Sequence, residues 1–215
     1  MQVHCKNRMR QSGEAFRMET AGQGRSDEKQ ALRRVVLARR EALDPRYQYD
    51  AALAAAKKGE AAIAVPAGVM IAGYWPIRSE IDPRPLLSAF RAKGARLCLP
   101  VVLDAETIVF REFLPDAELV PTGFGTMGPD EHAPLVDPAI MLMPLAGFDR
   151  LGHRLGYGAG HYDRALARFA ERGLQPLLIG MAFDCQEVDY VPNEPHDIAL
   201  HQILTESGLR SRAMD

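Results

Sequence analysis

The sequence predicts an open, mostly parallel α/β sheet with helices on both faces, folded as a single domain. Short apolar runs at positions 69–75, 96–102, 139–146 and 176–183 have the length and composition of buried strands. Between them lie segments of roughly ten to fifteen residues that pattern as helices, and such alternation produces parallel sheets covered on both sides. Polar loops follow the apolar runs directly, where sheets of this kind place ligand groups.

Taken in order, residues 1–25 differ from the rest: five basic residues, two acids and few large apolar side chains suggest a disordered extension. No apolar core follows the positive charge, as a secretory signal would require. Ser26 or Asp27 opens a helix, with Asp27 and Gln30 spaced as a capping box. Leu32, Val35, Val36 and Arg39 repeat at helical spacing up to Leu43-Asp44-Pro45. Lys29 and Arg33 share one face of this helix, which by itself reads as a solvated basic face. A second helix covers 46–62. The run VMIAGYW at 69–75 is the first strand and feeds a polar loop that holds Glu80. A helix over 85–93 stops at Gly94, and RLCLPVV at 96–102 is the second strand. Residues 107–113 alternate as a half-exposed, antiparallel strand. Residues 114–137 are long, irregular and rich in Pro and Gly, as functional loops often are. The strand at 139–146 is followed by a glycine-rich segment and by a helix over 165–172. Strands at 176–183 and 198–204 complete the domain at about residue 208, leaving 209–215 as a flexible tail.

Composition narrows the function. Hydrophobic residues make up 47% and charged residues 25%, the balance of a water-soluble globular protein. A net charge of −2 gives no electrostatic case for nucleic acid. No apolar run approaches the ~20 residues of a membrane helix. Cys5, Cys98 and Cys185 are odd in number and far apart, so neither a disulfide framework nor a zinc knuckle is suggested. A cytoplasmic, monomeric protein without membrane or nucleic-acid partners is expected.

The chemistry concentrates in GHRLGYGAGHYDR, residues 152–164. Gly152, Gly156, Gly158 and Gly160 let the backbone approach a ligand closely. A glycine-rich turn into a helix start presents amide N–H groups to an anion. Arg154 and Arg164 add positive charge, and Asp163 adds a carboxylate suited to magnesium. The segment has neither Walker nor dinucleotide-fingerprint spacing. No GxSxG nucleophile elbow is present. The histidine pairs 153/161 and 196/201 lack a third zinc ligand at a recognisable spacing. Phosphate or nucleotide with a metal is the reading that these residues support.

The same residues resemble the signature of the 5-formyltetrahydrofolate cyclo-ligase family, in which an apolar strand, Pro-Leu and Phe-Asp lead into Arg-Leu-Gly-x-Gly-x-Gly-Tyr-Tyr-Asp. Other landmarks agree in order: Lys29-x-x-x-Arg33, Tyr74-Trp-Pro with Glu80-Ile-Asp, Leu99-Pro100, Phe124-Gly125, Glu194-x-His196-Asp197 and Thr205-Glu206. The likeness spans about residues 27–206. Three features depart from it: His161 replaces the first of two tyrosines, Gly128 stands where many members have Glu, and residues 1–25 have no counterpart.

The resemblance implies Rossmann-like layering and an ATP-dependent conversion of 5-formyltetrahydrofolate to 5,10-methenyltetrahydrofolate. Lys29 and Arg33 would contact the ATP phosphates, against the solvated-face reading. Arg154, Leu155, Gly156, Tyr157, Gly158, Ala159, Gly160, His161 and Tyr162 would wrap the triphosphate. Lys29, Arg33, Arg154 and Tyr162 would be the catalytic groups. Trp75 and Glu80 would contact the folate, and Asp163 and Asp197 would hold Mg2+ directly or through water. Two other readings are a non-catalytic folate- or nucleotide-binding relative, and a sugar-phosphate isomerase or CoA-transferase on a similar fold.

Overall fold

A computed structural model describes residues 24–123, 125–194 and 197–213. The sequence landmarks Phe124 and His196, and residues 1–23 of the expected extension, lie outside the described residues. Helix α1 occupies 24–41, so residues 24 and 25 are helical, and Asp27 lies within the helix instead of capping it. Helices α2 (Pro45–Ala62), α3 (Arg84–Ala92) and α4 (His161–Glu171) follow. The break between α1 and α2 is explained locally. The Asp44 carboxylate accepts from the amides of Arg46 and Tyr47 while Pro45 occupies the first helical turn.

The main sheet has seven strands: β1 (Met70–Ala72), β2 (Arg96–Val102), β3 (Ile108–Glu112), β6 (Ile140–Pro144), β9 (Leu177–Met181), β10 (Gln202–Thr205) and β11 (Gly208–Ser211). Their order is β11-β10-β9-β6-β1-β2-β3. The five inner strands are parallel, and β3 and β11 are antiparallel edges. Side-chain alternation along β6 shows how both faces are filled. Ile140 and Leu142 join the core under α2 and α3, while Met141 and Met143 join the core under α4. The inner face of α2 is a stripe of small residues, Ala51, Ala52, Ala55, Ala56 and Gly59. A Cβ at Gly59 would lie 2.6 Å from the Leu204 side chain, so this helix lies close against the sheet.

Three local features differ from the sequence expectation. Residues 114–137 contain a small hairpin of β4 (Leu119–Pro121) and β5 (Met127–Pro129). Gly128 sits in β5, where a Cβ would come within 3.0 Å of Val101 and 3.2 Å of the Pro100 carbonyl, so a side chain here would require these neighbours to shift. The last parallel strand starts at Gln202, not at residue 198, because the amide of Leu200 bonds to Gly152 instead of to a neighbouring strand. Residues 209–211, assigned to a flexible tail, pair with β10 as part of β11.

Candidate active site

The strand order fixes where a ligand can enter. From β1 the chain proceeds to β2 on one side, whereas β6, β9 and β10 extend the sheet on the other. The carboxyl ends of β1 and β6 therefore flank a topological switch point, where the connecting loops diverge and leave a crevice. The loop after β1 brings Trp75 and Glu80 to this crevice, and the segment after β6 brings residues 153–160. Helix α1 is held over the same end of the sheet by Val36, which packs with Ala146, Leu155 and Val191.

A cavity of about 890 Å³ opens here, within the range of small-molecule sites. All fifteen residues given roles by the resemblance line it. Its wall nearest β2, β3 and β5 is largely apolar, with Pro100, Val102, Ile108 and Met127. Its wall nearest β9 and β10 is charged, with Lys29, Glu194 and Asp197.

The glycine segment is built on a short hairpin of β7 (Gly147–Phe148) and β8 (Arg154–Leu155). The buried Asp149 carboxylate organises the turn. It accepts from the amides of Leu151, His153 and Val191, each at 3.0 Å, and contacts His153 Nδ1 at 2.9 Å. Gly152 has a φ of 83°, and a Cβ there would meet the Leu200 carbonyl at 2.5 Å. Beyond β8, Gly160 at φ 67° is the N-cap of α4 and supplies no side-chain cap. The first N–H groups of α4 therefore have no capping side chain and, with the helix dipole, favour an anion at the cavity.

The cations arrive from α1. Arg33 donates from Nε to the Gly156 carbonyl at 2.7 Å, and its guanidinium lies 3.8 Å from where a Cβ of Gly158 would stand. Burial pulls its pKa down from the ordinary value. Lys29 meets Asp197 at 2.6 Å and Glu194 at 3.2 Å. Burial lowers its pKa, but the bonds to Asp197 and Glu194 outweigh that and hold it above the ordinary lysine value. Arg154 is turned inward, donating to the Ile198 carbonyl and to the Asp163 carboxylate. It thereby joins the glycine segment to the loop that carries Asp197.

Asp163 also lies 3.5 Å from the amide of Ile198, so the two carboxylates expected to hold a metal border the same loop. Each already touches a cation, Arg154 or Lys29. Among the described residues, no three His, Cys, Asp or Glu side chains form a metal cage. This donor set fits a magnesium ion that keeps its waters and takes phosphate oxygens as ligands; it does not fit an ion enclosed by protein alone.

Glu80 is held by its own loop, with Oε2 accepting from the Ile77 amide at 2.9 Å. Burial raises its pKa, opposed by hydrogen bonds from Tyr157 and Ile77 and by the charges of Arg40 and Arg78. Trp75 is half-buried at the cavity edge under the Arg84 guanidinium, which lies 5.0 Å from its ring. Tyr162, in the first turn of α4, has its hydroxyl pKa raised by burial. His161 is the first residue of α4 and also lines the cavity.

Sequence reasoning missed Arg40, which is 1% exposed and bonds to Tyr157 and Ser79. Spacing could have found it: eleven positions separate Lys29 from Arg40, about three helical turns, so both project from one side of α1.

Comparisons with known proteins identify the family and the fold. The model of the 5-formyltetrahydrofolate cyclo-ligase family matches residues 25–206. The chain is 33% identical over 175 residues to the 5-formyltetrahydrofolate cyclo-ligase of Escherichia coli K12, covering 79% of this chain and 95% of that one. It is 35% identical over 147 residues to that of Mycolicibacterium smegmatis, covering 64% and 74% respectively. Among solved structures, the 5,10-methenyltetrahydrofolate synthetase of Aquifex aeolicus aligns with a TM-score of 0.71 and 27% identity, over 87% of this chain and 94% of that one. The synthetase of Mycoplasma pneumoniae aligns with a TM-score of 0.67 and 25% identity, over 83% and 98%. The family match spans nearly all of the described chain and includes every element that lines the cavity; the chain belongs to the 5-formyltetrahydrofolate cyclo-ligase family.

Proposed function

We propose that this enzyme uses ATP to cyclise 5-formyltetrahydrofolate to 5,10-methenyltetrahydrofolate, releasing ADP and phosphate through a phosphorylated formyl intermediate. The observation that carries this reading is the convergence of three features in one cavity. They are the cations Lys29 and Arg33, the N-terminus of α4 without a side-chain cap behind Gly158 and Gly160, and the half-buried acceptor Glu80.

The chemistry explains why such a site is needed. A formamide oxygen is a poor leaving group, so attack by the neighbouring 10-nitrogen stalls. Transfer of the γ-phosphoryl group to that oxygen forms an iminium phosphate. The 10-nitrogen then adds to the formyl carbon, the carbon–oxygen bond breaks, phosphate departs and the nitrogen loses its proton. Phosphoryl transfer of this kind is mostly positioning and charge neutralisation. Lys29 and Arg33 would neutralise the phosphates, and the amides of residues 156–162 would cradle them. Glu80 would accept hydrogen bonds from the pterin N–H groups, beside Trp75. Asp163 and Asp197 would hold Mg2+, through water while Arg154 and Lys29 keep their places; the ion would supply further charge neutralisation at the phosphates.

Mixing the protein with 5-formyltetrahydrofolate, ATP and magnesium should generate the absorbance of the methenyl product. Folate binding without product would favour a non-catalytic relative. Turnover without ATP would favour isomerase or transferase chemistry.

A further inference from the structure

Two neighbouring residues of the glycine hairpin, His153 and Arg154, hold the segment that carries Glu194 and Asp197 at its two ends. Arg154 grips the far end, donating to the Ile198 carbonyl. His153 grips the near end: its Nε2 lies 3.1 Å from Nδ2 of Asn193, the residue before Glu194. His153 and Asn193 both line the cavity, and the imidazole is 19% exposed. The proposed reaction uses neither side chain.

The direction of these contacts follows from Asp149. Its carboxylate is buried, and each oxygen meets two donors: Oδ1 the amides of Leu151 and His153, Oδ2 the Val191 amide and, at 2.9 Å, His153 Nδ1. An acceptor-only carboxylate places the ring proton on Nδ1. Nε2 of the neutral ring is then an acceptor, and the Asn193 side-chain amide donates to it. Three backbone amides already organise the hairpin around Asp149, so what the imidazole adds is reach to Asn193. Asn193 stands at the head of a tight turn. The Glu194 amide donates to Asp197 Oδ2 and the Asp197 amide donates to the Glu194 carbonyl, each at 2.9 Å. Both carboxylates of this turn meet Lys29. Fixing Asn193 therefore fixes where the Asp197 carboxylate points.

We propose that His153 is a positioning residue for the metal side of the site: oriented by Asp149 and bonded to Asn193, it sets the entry of the segment that bears Asp197, as Arg154 sets its exit. This rests on the reading of Asp197 as a magnesium holder. Magnesium demands near-ideal octahedral geometry, so it tolerates little displacement of a carboxylate that holds it or orders its waters. Partners that orient a metal-binding group from behind change metal affinity about 10- to 100-fold. His153 and Asn193 are both partly exposed, so water can replace a lost bond between them at little cost to the fold. What the bond contributes is order in the segment, and order is what a phosphate site needs.

The test measures binding of ADP to the full-length enzyme by calorimetry over a range of magnesium concentrations, with no turnover. His153→Asn keeps an amide nitrogen where Nδ1 stood, so Asp149 retains its donor, but the side chain is too short to reach Asn193. The magnesium concentration that gives half of the metal's gain in ADP affinity should rise about tenfold. ADP affinity without metal should stay within about twofold, and the melting temperature within about 3 °C. The amides of Asp197 and Ile198 should exchange hydrogen faster in this variant. Asn193→Ala should match it, and combining the two should add nothing. His153→Gln, whose side-chain oxygen reaches the position of Nε2, should recover most of the magnesium dependence. Parent-like magnesium dependence in His153→Asn and Asn193→Ala, with Asp197→Asn impaired, would overturn the role of His153 and leave the metal reading standing. Equal weakening of ADP binding with and without magnesium would mean that the imidazole serves the glycine segment, and the inference fails. If Asp197→Asn retains the magnesium dependence of the parent, the metal reading itself falls, and the inference with it.

Discussion

Lys29 and Asp197 lie 168 positions apart in sequence and meet at 2.6 Å across the mouth of the cavity. The contact joins α1 to the loop before the last parallel strand. It means that the lysine expected to reach the ATP phosphates is already engaged by carboxylates.

Lys29→Met removes the cation that separates Glu194 from Asp197 and also the proposed phosphate contact. Turnover should fall by about 100-fold or more at saturating ATP, since each charge clamp in phosphoryl transfer contributes on that scale. Stability should fall by about 1 kcal/mol, because the pair is only partly buried. The Lys29 pKa is raised in the folded state, so its contribution is fully present below the unfolded value of 10.5 and disappears as pH rises through the folded value. Denaturant titrations should show the same Lys29→Met deficit at pH 7 and pH 9, and a shrinking one in strong alkali.

Gly152→Ala should destabilise the fold by about 2–4 kcal/mol, since the turn requires a left-handed backbone and the new Cβ would strike the Leu200 carbonyl. Gly156→Ala is the contrast. It has no positive φ, and nothing lies within 4 Å of its Cβ position. Thermal melts should find it within about 0.5 kcal/mol of the parent, while its KM for ATP rises if the triphosphate approaches the backbone there.

Buried Gln186 ties the end of β6 to the turn after β9. It accepts from the Phe183 amide and donates to the carbonyls of Leu145 and Ala146. Gln186→Leu would leave three buried backbone groups unpaired and should cost about 2–4 kcal/mol in urea unfolding. Loss of activity should track unfolding, because Gln186 touches no part of the cavity wall.

Asp163→Asn separates two roles of one carboxylate. The amide oxygen can still accept from Arg154 but carries no charge, so the melting temperature should fall by a few degrees, on the order of 1–2 kcal/mol. If Asp163 helps to hold magnesium, the metal concentration for half-maximal turnover should rise by about tenfold or more. Unchanged magnesium dependence would assign Asp163 wholly to Arg154.

Much of this fold was legible because buried parallel strands are unbroken apolar runs. The strand around Met141 and the helix carrying Leu166 and Phe169 needed nothing else. The glycine segment was legible because Gly152, Gly158 and Gly160 occupy backbone conformations that other residues avoid. Strand order was not, since it depends on which runs pair across the sheet, and with it went the switch point between β1 and β6. The β4–β5 and β7–β8 hairpins have strands of only two or three residues, too short to show a period. β11 reads as polar tail because it is an edge with two exposed positions. Arg40 looks like one more surface arginine until the fold places Tyr157 and Ser79 against it.

In the proposed reaction the γ-phosphoryl group moves to the formyl oxygen before ring closure. A heavy-oxygen label in the formyl group of 5-formyltetrahydrofolate, followed by mass analysis of the released phosphate, reports this transfer. Phosphate should carry one labelled oxygen for each methenyl product formed. Label appearing in water, with unlabelled phosphate, would contradict it.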